Sequence, residues 1–484
     1  MAIDVHLVLL VPNTRWFGKR CWMWFTPAVP YLTAVLNRRR VPFSVLEANI
    51  DDLTPEAVAV RLAELAPDAV AIPCMSLEYW RQAHEAARLA KEAGPDIVTI
   101  LGGAHPTSLP ERVMEDPNVD YLVLGEGEER LPDLLAALQK DAGDLAALDG
   151  IAYRDGDRVV VRPPQRWIED LDALPLPDYT AFDAARVMNH LQHGAAGGMC
   201  TKRTPVGAVM TSRGCPYGCC FCAGHVTMGR RTRFRSPESV LREVDMLVRD
   251  FGIRELVFQD DNMYARRERA LAIVDGIRAR GYDLLWKNSN LAAWHMDREL
   301  MRRMKESGCY QVTISPESGS PRVLKEIIHK PGTREDALNV SAWCKEFDLE
   351  LEADFVIGFP GETWDDIRQT TNFAEELDAD AVKFAVATPF PGTELFETAV
   401  RGGYLPADFD FYRDDALGFA NPVIETEEFS ATELRMIRCL EWDRINFRTK
   451  AKADRYRRVN PMTEEELAQF RRDTRRNLGV YFME

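Results

Sequence analysis

Four of the ten cysteines fall within eight positions, and their spacing indicates a metal centre. Cys215, Cys219 and Cys222 follow the pattern C-x3-C-x2-C. Three thiolates on one loop can bind three irons of a [4Fe–4S] cluster and leave the fourth iron open to another ligand. Structural zinc is the chief alternative, but it needs a fourth ligand. Cys220 would point away from its neighbours and His225 is the only nearby imidazole, so the spacing favours iron–sulfur and leaves zinc open.

The elements around this loop predict where it lies in the fold. The loop directly follows the first of six predicted strands, and helical patterns separate these strands; one helix begins with Ser236 as its cap and Pro237 in the first position. Six βα units over about 190 residues predict a partial parallel barrel, with functional groups at the carboxyl-terminal rim. The predicted strands are Val206–Thr211, Glu255–Gln259, Leu284–Asn288, Gln311–Ser315, Glu352–Ile357 and Ala381–Ala387.

The first 140 residues also alternate apolar strands with amphipathic helices, such as Thr54–Leu65, where Thr54 can cap and Pro55 suits the first position. This alternation predicts a parallel, doubly wound sheet, which binds ligands beyond the carboxyl ends of its strands. Glycines fall there, at 102, 103, 125 and 127, either as ligand contacts or simply as tight turns. The predicted strands are Val5–Val11, Phe43–Glu47, Ala69–Ile72, Val98–Leu101 and Tyr121–Leu124.

The predicted fold class is therefore α/β, with a doubly wound, Rossmann-like domain followed by a partial (β/α)6 barrel of the TIM type and a mainly helical C-terminal region. The predicted boundaries are 1–140 for the first domain, 141–205 for a linker, 206–400 for the barrel and 401–484 for the helical region. The linker includes a small hairpin at Ile151–Arg162 that turns at Asp155-Gly156.

Charge and hydropathy exclude several classes of function. The 484 residues include 76 acidic and 60 basic side chains, a net charge of −16, which argues against a nucleic-acid partner or a polybasic membrane binder. No apolar run reaches the roughly 18 residues of a membrane-spanning helix. The first 16 residues have no basic region or cleavage site, so they predict a strand and not an export signal. We therefore expect a soluble, cytoplasmic protein whose cysteines do chemistry.

With the aromatic Phe221 before its last cysteine, the loop resembles the radical S-adenosylmethionine (SAM) superfamily. Further segments resemble the cobalamin (B12)-binding branch of that superfamily. The Gly102-Gly103 turn and the turn at 125–128 resemble the B12-binding domain that precedes the barrel in this branch, so the resemblance covers about residues 1–400. The barrel segments follow predicted strands two, four, five and six and are Phe258-Gln-Asp-Asp-Asn262, Ser315-Pro-Glu-Ser-Gly-Ser320, Gly358-Phe-Pro-Gly-Glu-Thr363 and Thr388-Pro-Phe-Pro-Gly-Thr393.

The resemblance implies three cofactors. Cys215, Cys219 and Cys222 would ligate a [4Fe–4S] cluster, whose open iron would chelate the amino and carboxylate groups of SAM. Reduction by an electron donor such as flavodoxin or ferredoxin would then cleave SAM to methionine and a 5′-deoxyadenosyl radical, which abstracts a hydrogen from a small-molecule substrate. The third cofactor, cobalamin, would supply a methyl group to the substrate radical, and a second SAM would restore it.

The SAM contacts implied by the resemblance lie at the rim of the barrel. Phe221 would lie near the adenine, Glu317 and Ser318 would bind the ribose or the methionine carboxylate, and the carboxylates after strand two would accept the amino group. From the residues alone, the Asp-Asp-Asn segment can also be a polar turn and Glu317 a salt bridge at the rim. The full set of expected SAM contacts is Phe221, Asp260, Asp261, Glu317, Ser318 and Thr388.

Cobalamin would bind without a histidine ligand. The Asp-x-His-x-x-Gly motif of many B12 domains is absent, since Asp4-Val5-His6 is followed by Leu9 where glycine is needed, so His6 is interpreted as a strand residue. An aromatic segment at Thr14–Phe25, with Trp16, Phe17, Trp22, Trp24 and Phe25, could line the corrin or a substrate wall, or pack a long loop. The expected cobalamin contacts are Thr14, Ser76, Gly102, Gly103, Gly125, Glu126, Gly127 and Glu128.

The leading hypothesis is a cobalamin-dependent methyltransferase that acts on an unactivated carbon or phosphorus centre. Alternatives are a ring-forming or rearranging radical enzyme, transfer of another SAM fragment such as the aminocarboxypropyl group, and, in a different class, a non-catalytic zinc or iron–sulfur sensor or scaffold. The basic stretch Arg230–Arg235 could receive an anionic substrate or a phosphate, or be a solvated surface run.

Overall fold

The computed structural model describes residues 3–18, 28–139, 145–189, 200–410, 412 and 418–476. The chain divides into two compact units, the first formed by residues 1–191 with 224–229 and the second by residues 192–223 with 230–484. Among the described residues, no helix combines the length and the apolar character that crossing a bilayer requires.

The first unit contains a sheet of seven strands in the order β2-β1-β3-β4-β5-β6-β7. The first five strands are parallel, and the order 2-1-3-4-5 is one of the two common doubly wound arrangements, with its switch point between β1 and β3. The doubly wound prediction is therefore confirmed. The strands are β1 (Leu7–Val11), β2 (Phe43–Glu47), β3 (Ala69–Cys74), β4 (Val98–Gly103), β5 (Tyr121–Val123), β6 (Ile151–Asp155) and β7 (Arg158–Arg162).

Helices cover both faces of this sheet because the strands are apolar on both sides. The helices are α1 (Ala28–Arg39), α2 (Pro55–Leu65), α3 (Trp80–Ala93), α4 (Ala104–Ser108), α5 (Pro110–Val113), α6 (Gly127–Leu138), α7 (Ala184–Asn189) and α8 (Gly224–Met228). One apolar core packs α2 and α3 against Val8 and Leu10 of β1, and the other packs α1 and α6 against Leu7 and Leu9. The hydroxyl of Thr54 accepts a hydrogen bond from the amide of Ala57, as its capping role predicts.

The hairpin β6–β7 belongs to the first sheet. Val123 of β5 pairs with Ile151 of β6 in antiparallel register, and β7 forms the edge. Ile151 is fully buried in the same core as α1 and α6. The segment predicted as a linker, 141–205, thus contributes two strands to this unit.

The second unit contains six parallel strands, in the order β15-β14-β13-β12-β11-β8. Each strand pairs with the next one along the chain, which is the arrangement of a partial (β/α)6 barrel, and all six predicted strands are present. A separate two-stranded antiparallel ribbon joins β9 to β10. The strands are β8 (Val206–Val209), β9 (Ser212–Arg213), β10 (Arg233–Phe234), β11 (Glu255–Phe258), β12 (Leu285–Leu291), β13 (Cys309–Glu317), β14 (Glu350–Ile357) and β15 (Ala381–Val386).

Helices alternate with these strands and then continue to the C-terminal region. The hydroxyl of Ser236 caps the first of them, accepting from the amide of Ser239 at 3.1 Å, and Pro237 follows as predicted. A π-helical turn, Val323–Ile328, follows β13. The helices are α9 (Pro237–Phe251), α10 (Arg267–Arg280), α11 (Arg298–Glu306), α12 (Arg334–Phe347), α13 (Trp364–Leu377), α14 (Glu394–Arg401), α15 (Ala431–Phe447), α16 (Lys450–Val459) and α17 (Glu464–Arg476).

The C-terminal region covers the edge strand β15. Asn446 of α15 accepts from the amide of Val382 at 2.8 Å and donates to the Val382 carbonyl at 2.9 Å. The Arg438 guanidinium donates to the carbonyl of Phe384, and the carbonyl of Phe419 accepts from Val386. Side chains and one loop therefore satisfy backbone groups that an open sheet edge would otherwise expose.

Candidate functional site

The cysteine loop follows β9, at the carboxyl-terminal rim of the barrel. Cys215 and Cys219 are partly buried and Cys222 is exposed, whereas Cys220 is buried in an apolar cluster with Phe359. The amide of Cys220 donates to the Ile328 carbonyl at 3.0 Å, and its carbonyl accepts from Leu395 at 2.8 Å. These bonds fix the Cys220 backbone. The Cys220 thiol is buried, whereas the thiols of the other three cysteines of the loop are more accessible.

The three remaining thiols lie close enough together to influence one another. Burial raises the pKa of Cys215, and it raises that of Cys219 to about 11. Cys222 raises the pKa of both thiols further, and Cys215 also raises that of Cys219. Lys330 lowers the pKa of both thiols and therefore places a positive charge at this site. Soft thiols supplied by one loop, with a cation beside them, fit a cluster held by three cysteines.

No set of three or more His, Cys, Asp or Glu side chains in the described part of the chain has the arrangement of a single-ion site. His225, the imidazole considered as a zinc ligand, lies in α8 of the first unit.

Asp260 holds the end of β8 in place. Its Oδ1 accepts hydrogen bonds from the amide and hydroxyl of Thr211 and from the hydroxyl of Ser212, at 3.0, 2.7 and 2.6 Å. Its other oxygen is buried without a partner in the described structure, and burial raises the pKa of the carboxyl. Asp260 therefore positions the backbone that leads into the cysteine loop, as a polar turn would.

Asp261 has a different environment, because its side chain reaches the surface. Desolvation by the surrounding protein, with the charge of Asp260, raises the pKa of Asp261, and the Gly214 amide lowers it. The charge of Asp261 in turn raises the pKa of the Cys215 thiol. Asp261 thus lies beside the first cysteine.

Glu317 and Lys330 form a nearly buried ion pair. Glu317 ends β13 with a positive φ of 65°, and Lys330 donates to its Oε1 at 2.7 Å. Burial raises the pKa of Glu317, and Lys330 lowers it. Lys330 is absent from the predicted site, because the π-helical turn that returns the chain to the rim leaves no periodic signal in the sequence.

Three other predicted SAM residues lie at the same rim with their own internal contacts. The Ser318 hydroxyl is fully buried, 2.9 Å from that of Thr370, and accepts from the Ser320 amide. The Thr388 hydroxyl donates to the Val386 carbonyl at 3.1 Å. The centroid of the Phe221 ring lies 5.8 Å from that of the Phe359 ring. The backbone amide of Phe359 donates to the Glu362 carboxylate.

In the first unit, the carboxyl ends of β1 and β2 meet at an ordered polar contact. Asn49 accepts from the amide of Thr14 at 2.9 Å and from its hydroxyl at 2.8 Å, and Gln82 donates to the Thr14 carbonyl. Ser76 caps the short turn after β3 by accepting from the Glu78 amide. The switch point of the sheet is therefore lined by amide and hydroxyl groups.

In the predicted glycine turns, some positions require glycine and others have room for a Cβ. Gly103 has a φ of 100°, and a Cβ there would overlap the carbonyl of Cys74. At Gly102 a Cβ would make only an ordinary contact. Gly125 has a φ of 71°, and a Cβ at Gly127 would touch Leu32 without overlap.

Glu126 and Glu128 are both buried, and the carboxylate of Glu126 accepts from the amide of Ile168. A histidine pair without any motif in the sequence, one ring buried and the other partly buried, lies at the same edge of the sheet. His105 of α4 has Nε2 3.2 Å from Nε2 of His84, whose Nδ1 lies 2.6 Å from Asp116. Burial and His84 lower the pKa of His105 to about 3, so its imidazole is neutral.

The remaining predictions concern single residues. His6 precedes β1, at the amino edge of the sheet, with Nε2 3.1 Å from the Ser44 hydroxyl, so it lies at the edge opposite to the glycine turns. Trp16 is buried, Phe17 is exposed beneath Arg81, and Trp22, Trp24 and Phe25 lie outside the described residues.

The basic stretch divides into two parts. Arg230 and Arg231 are exposed, whereas Arg233 and Arg235 are buried, and Arg235 pairs with Glu243. The second half of the stretch is therefore not a solvated surface run.

Comparison with known proteins identifies the family. The model described as the Radical SAM superfamily matches residues 209–374, and the model described as the B12 binding domain matches residues 23–135. An uncharacterized methyltransferase of Pyrococcus horikoshii is 32% identical over 404 residues, which cover 83% of this chain and 84% of that protein. The cytidylyl-2-hydroxyethylphosphonate methyltransferase of Streptomyces wedmorensis is 30% identical, over 75% of this chain and 72% of that protein.

Among solved structures, the radical SAM methyltransferase TsrM of Kitasatospora setae, with cobalamin and a [4Fe–4S] cluster bound, has the same fold. It superimposes with a TM-score of 0.68 at 20% identity and covers 84% of this chain and 80% of its own. The chain is therefore a radical SAM enzyme with a B12-binding domain, a member of the family whose cofactors are a [4Fe–4S] cluster, SAM and cobalamin.

Proposed function

We propose that this enzyme transfers a methyl group to a small molecule with the help of cobalamin, a [4Fe–4S] cluster and SAM. The observation that carries the proposal is the set of three thiols beside Lys330 at the rim of a barrel whose chain also has a B12-binding domain. Two relatives that are 32% and 30% identical are named methyltransferases, whereas two cyclases that match as much of the chain are 27% and 26% identical, so sequence identity favours methyl transfer over ring formation.

Cys215, Cys219 and Cys222 would bind the cluster, and Cys220 would remain a packing residue. Bound together, the cofactors supply one-electron cleavage of SAM and a methyl group for the substrate. The chain orders the loop through Asp260 and supplies the positive charge of Lys330, which favours thiolates over thiols.

The rim also matches the charges of the amino-acid part of SAM. Lys330 could shift from Glu317 towards the carboxylate of SAM. The carboxylates of Asp261 and Glu317 suit the ammonium group of SAM. Phe221 would lie against the adenine. Ser318, fully buried and engaged with Thr370, would act by supporting the turn after Glu317.

Cobalamin would bind at the carboxyl edge of the first sheet, near Thr14, Ser76, Gly102 and the turn that contains Gly125. No imidazole from an Asp-x-His-x-x-Gly motif would reach the cobalt, because His6 lies at the opposite edge. A one-electron carrier such as flavodoxin or ferredoxin would reduce the cluster.

Anaerobic reconstitution tests the cofactors first. We expect about four irons per chain and broad absorbance near 400 nm from thiolate-bound iron–sulfur. With cobalamin bound and reduced, SAM should give S-adenosylhomocysteine, the product of methyl transfer from SAM to cobalt. Tightly bound zinc without iron would support the sensor or scaffold alternative and contradict the proposal.

Methyl-labelled SAM tests the outcome on the substrate. Cytidylyl-2-hydroxyethylphosphonate, named in the Streptomyces relative, is the first probe, and a deproteinised extract of cells that express the chain is the second. A product that carries the label supports methylation and shows whether carbon or phosphorus is the acceptor. A product without the label, formed together with 5′-deoxyadenosine, would favour ring formation or rearrangement.

A further inference from the structure

The middle of the cysteine loop is held by an aromatic clamp, formed by Trp294 and His295 after β12. The hydroxyl of Tyr217 lies 2.8 Å from Nε2 of His295 and accepts from Nε1 of Trp294 at 3.2 Å. The Tyr217 ring lies edge-on to that of Trp294, with centroids 5.2 Å apart. Tyr217 lies two residues after Cys215, so contacts almost 80 positions away in the chain fix the loop between two of its thiols.

The clamp is itself fixed from the other side. Nζ of Lys330 lies 5.7 Å from the centroid of the Trp294 ring, within cation–π range. Gly332 lies against the same ring, and a Cβ at Gly332 would overlap it. Trp294 is thus placed between Tyr217 and the cation that stabilises the thiolates.

Fixing Tyr217 also fixes a hydrogen bond to sulfur. The backbone N–H of Tyr217, two residues along the chain, lowers the pKa of the Cys215 thiol, as a hydrogen bond to that sulfur does. An N–H group directed at a sulfur stabilises negative charge on that sulfur. Hydrogen bonds to the sulfurs are among the factors that set the potential of an iron–sulfur cluster, and they favour its reduced, more negative form.

We propose that Trp294 and His295 are positioning residues that hold Tyr217 so that its backbone N–H stays on the Cys215 sulfur, which raises the reduction potential of the cluster. The inference rests on the proposed function, because it requires Cys215 to be a cluster ligand. Neither clamp residue needs to touch SAM or substrate in this role. A less negative potential makes the cluster easier for an electron carrier to reduce.

The test compares cluster potentials in variants that keep all three cysteines of the motif. Tyr217→Phe removes the hydroxyl but keeps the ring and the backbone N–H, and His295→Ala removes one clamp residue. Trp294→Phe removes the indole N–H donor and leaves a smaller aromatic ring in its place. Controls remove similar groups elsewhere in the second unit: Trp364→Phe loses a donor to the Glu428 carbonyl, and Tyr282→Phe loses a bond to Asp245.

Each protein is reconstituted anaerobically, its iron content is measured, and its midpoint potential is determined by a redox titration followed by electron paramagnetic resonance. We expect about four irons per chain in all of them, with more negative midpoints in the clamp variants and wild-type midpoints in the controls. Full iron content with unchanged midpoints in all three clamp variants would overturn the inference alone. Wild-type protein that binds no iron would overturn the proposed function as well.

Discussion

Nζ of Lys330 lies 2.7 Å from Oε1 of Glu317, and the two side chains are only 11% and 7% exposed. An ion pair withdrawn from water this far is costly to form and more costly to break, because the remaining charge stays buried without compensation. The pair also lies beside the cysteines, since Lys330 lowers the pKa of Cys219 and Glu317 raises it. Its removal should therefore affect both stability and ligand binding.

Lys330→Met should destabilise the cofactor-free protein by about 3–5 kcal/mol at neutral pH, because Glu317 loses its partner. It should also weaken SAM binding to the reconstituted protein, measured by equilibrium dialysis. Lys345→Met is the control: its pair with Asp378 is solvent-exposed, so it should cost less than about 1 kcal/mol. Similar urea midpoints for the two variants would contradict this prediction.

Substitution of neighbouring cysteines should separate cluster ligands from packing residues. Cys219→Ala should lose most of the bound iron after reconstitution, because one of three ligands is absent. Cys220→Ala should keep about four irons and lose roughly 1 kcal/mol of stability, since its thiol is buried among apolar side chains. Iron analysis and absorbance near 400 nm check both. Iron loss in Cys220→Ala alone would reverse the assignment.

Glu362 should make stability depend on pH. Burial raises its pKa to about 8, although the amides of Phe359 and Gly358 lower it. A carboxyl with a raised folded-state pKa stabilises the fold fully below its unfolded pKa of about 4.5, and this contribution is lost as pH rises to about 8. The loss should reach up to about 4 kcal/mol.

Glu362→Gln keeps an acceptor for both amides and does not ionise, so its stability should fall less over the same pH window. Urea unfolding of the cofactor-free protein at pH 5, 6.5 and 8 measures the difference. Parallel pH profiles for wild type and variant would show that Glu362 ionises normally in the fold.

The two adjacent glycines that end β4 should respond differently to alanine. Gly103→Ala should destabilise the first unit by several kcal/mol, because its φ is 100° and a Cβ would overlap the Cys74 carbonyl. Gly102→Ala should leave stability nearly unchanged, since its Cβ makes an ordinary contact. If Gly102 lies against cobalamin, its variant should bind cobalamin more weakly, as measured by absorbance titration. Unchanged binding would limit Gly102 to its role as a turn residue.

Local patterns made much of the fold predictable. Short apolar runs between helical patterns located the five parallel strands of the first sheet and all six strands of the barrel, and the Ser236-Pro237 pair located the start of α9. The cysteine spacing identified the loop without knowledge of its surroundings. These features depend on residues close in sequence, which is where a single sequence is informative.

The contacts around the loop could not be predicted in the same way. Trp294 and His295 reach Tyr217 from the turn after β12, and Lys330 returns to the rim through a π-helical turn. The sequence predicts the hairpin Ile151–Arg162 but assigns it to a linker, because its pairing with β5 depends on a register that no turn signal encodes. Long-range packing decides each of these cases.

The contacts of Asn446 and Arg438 with β15 have a consequence for shortening the chain. A fragment that stops after Arg401 would retain all six barrel strands but would lose the helix that seals the last one. The unpaired amide and carbonyl groups of β15 would then be exposed, and a second molecule could add a strand of its own by pairing with them. By covering this edge, α15 protects the barrel from self-association. A shortened protein that contains only the barrel should therefore keep α15.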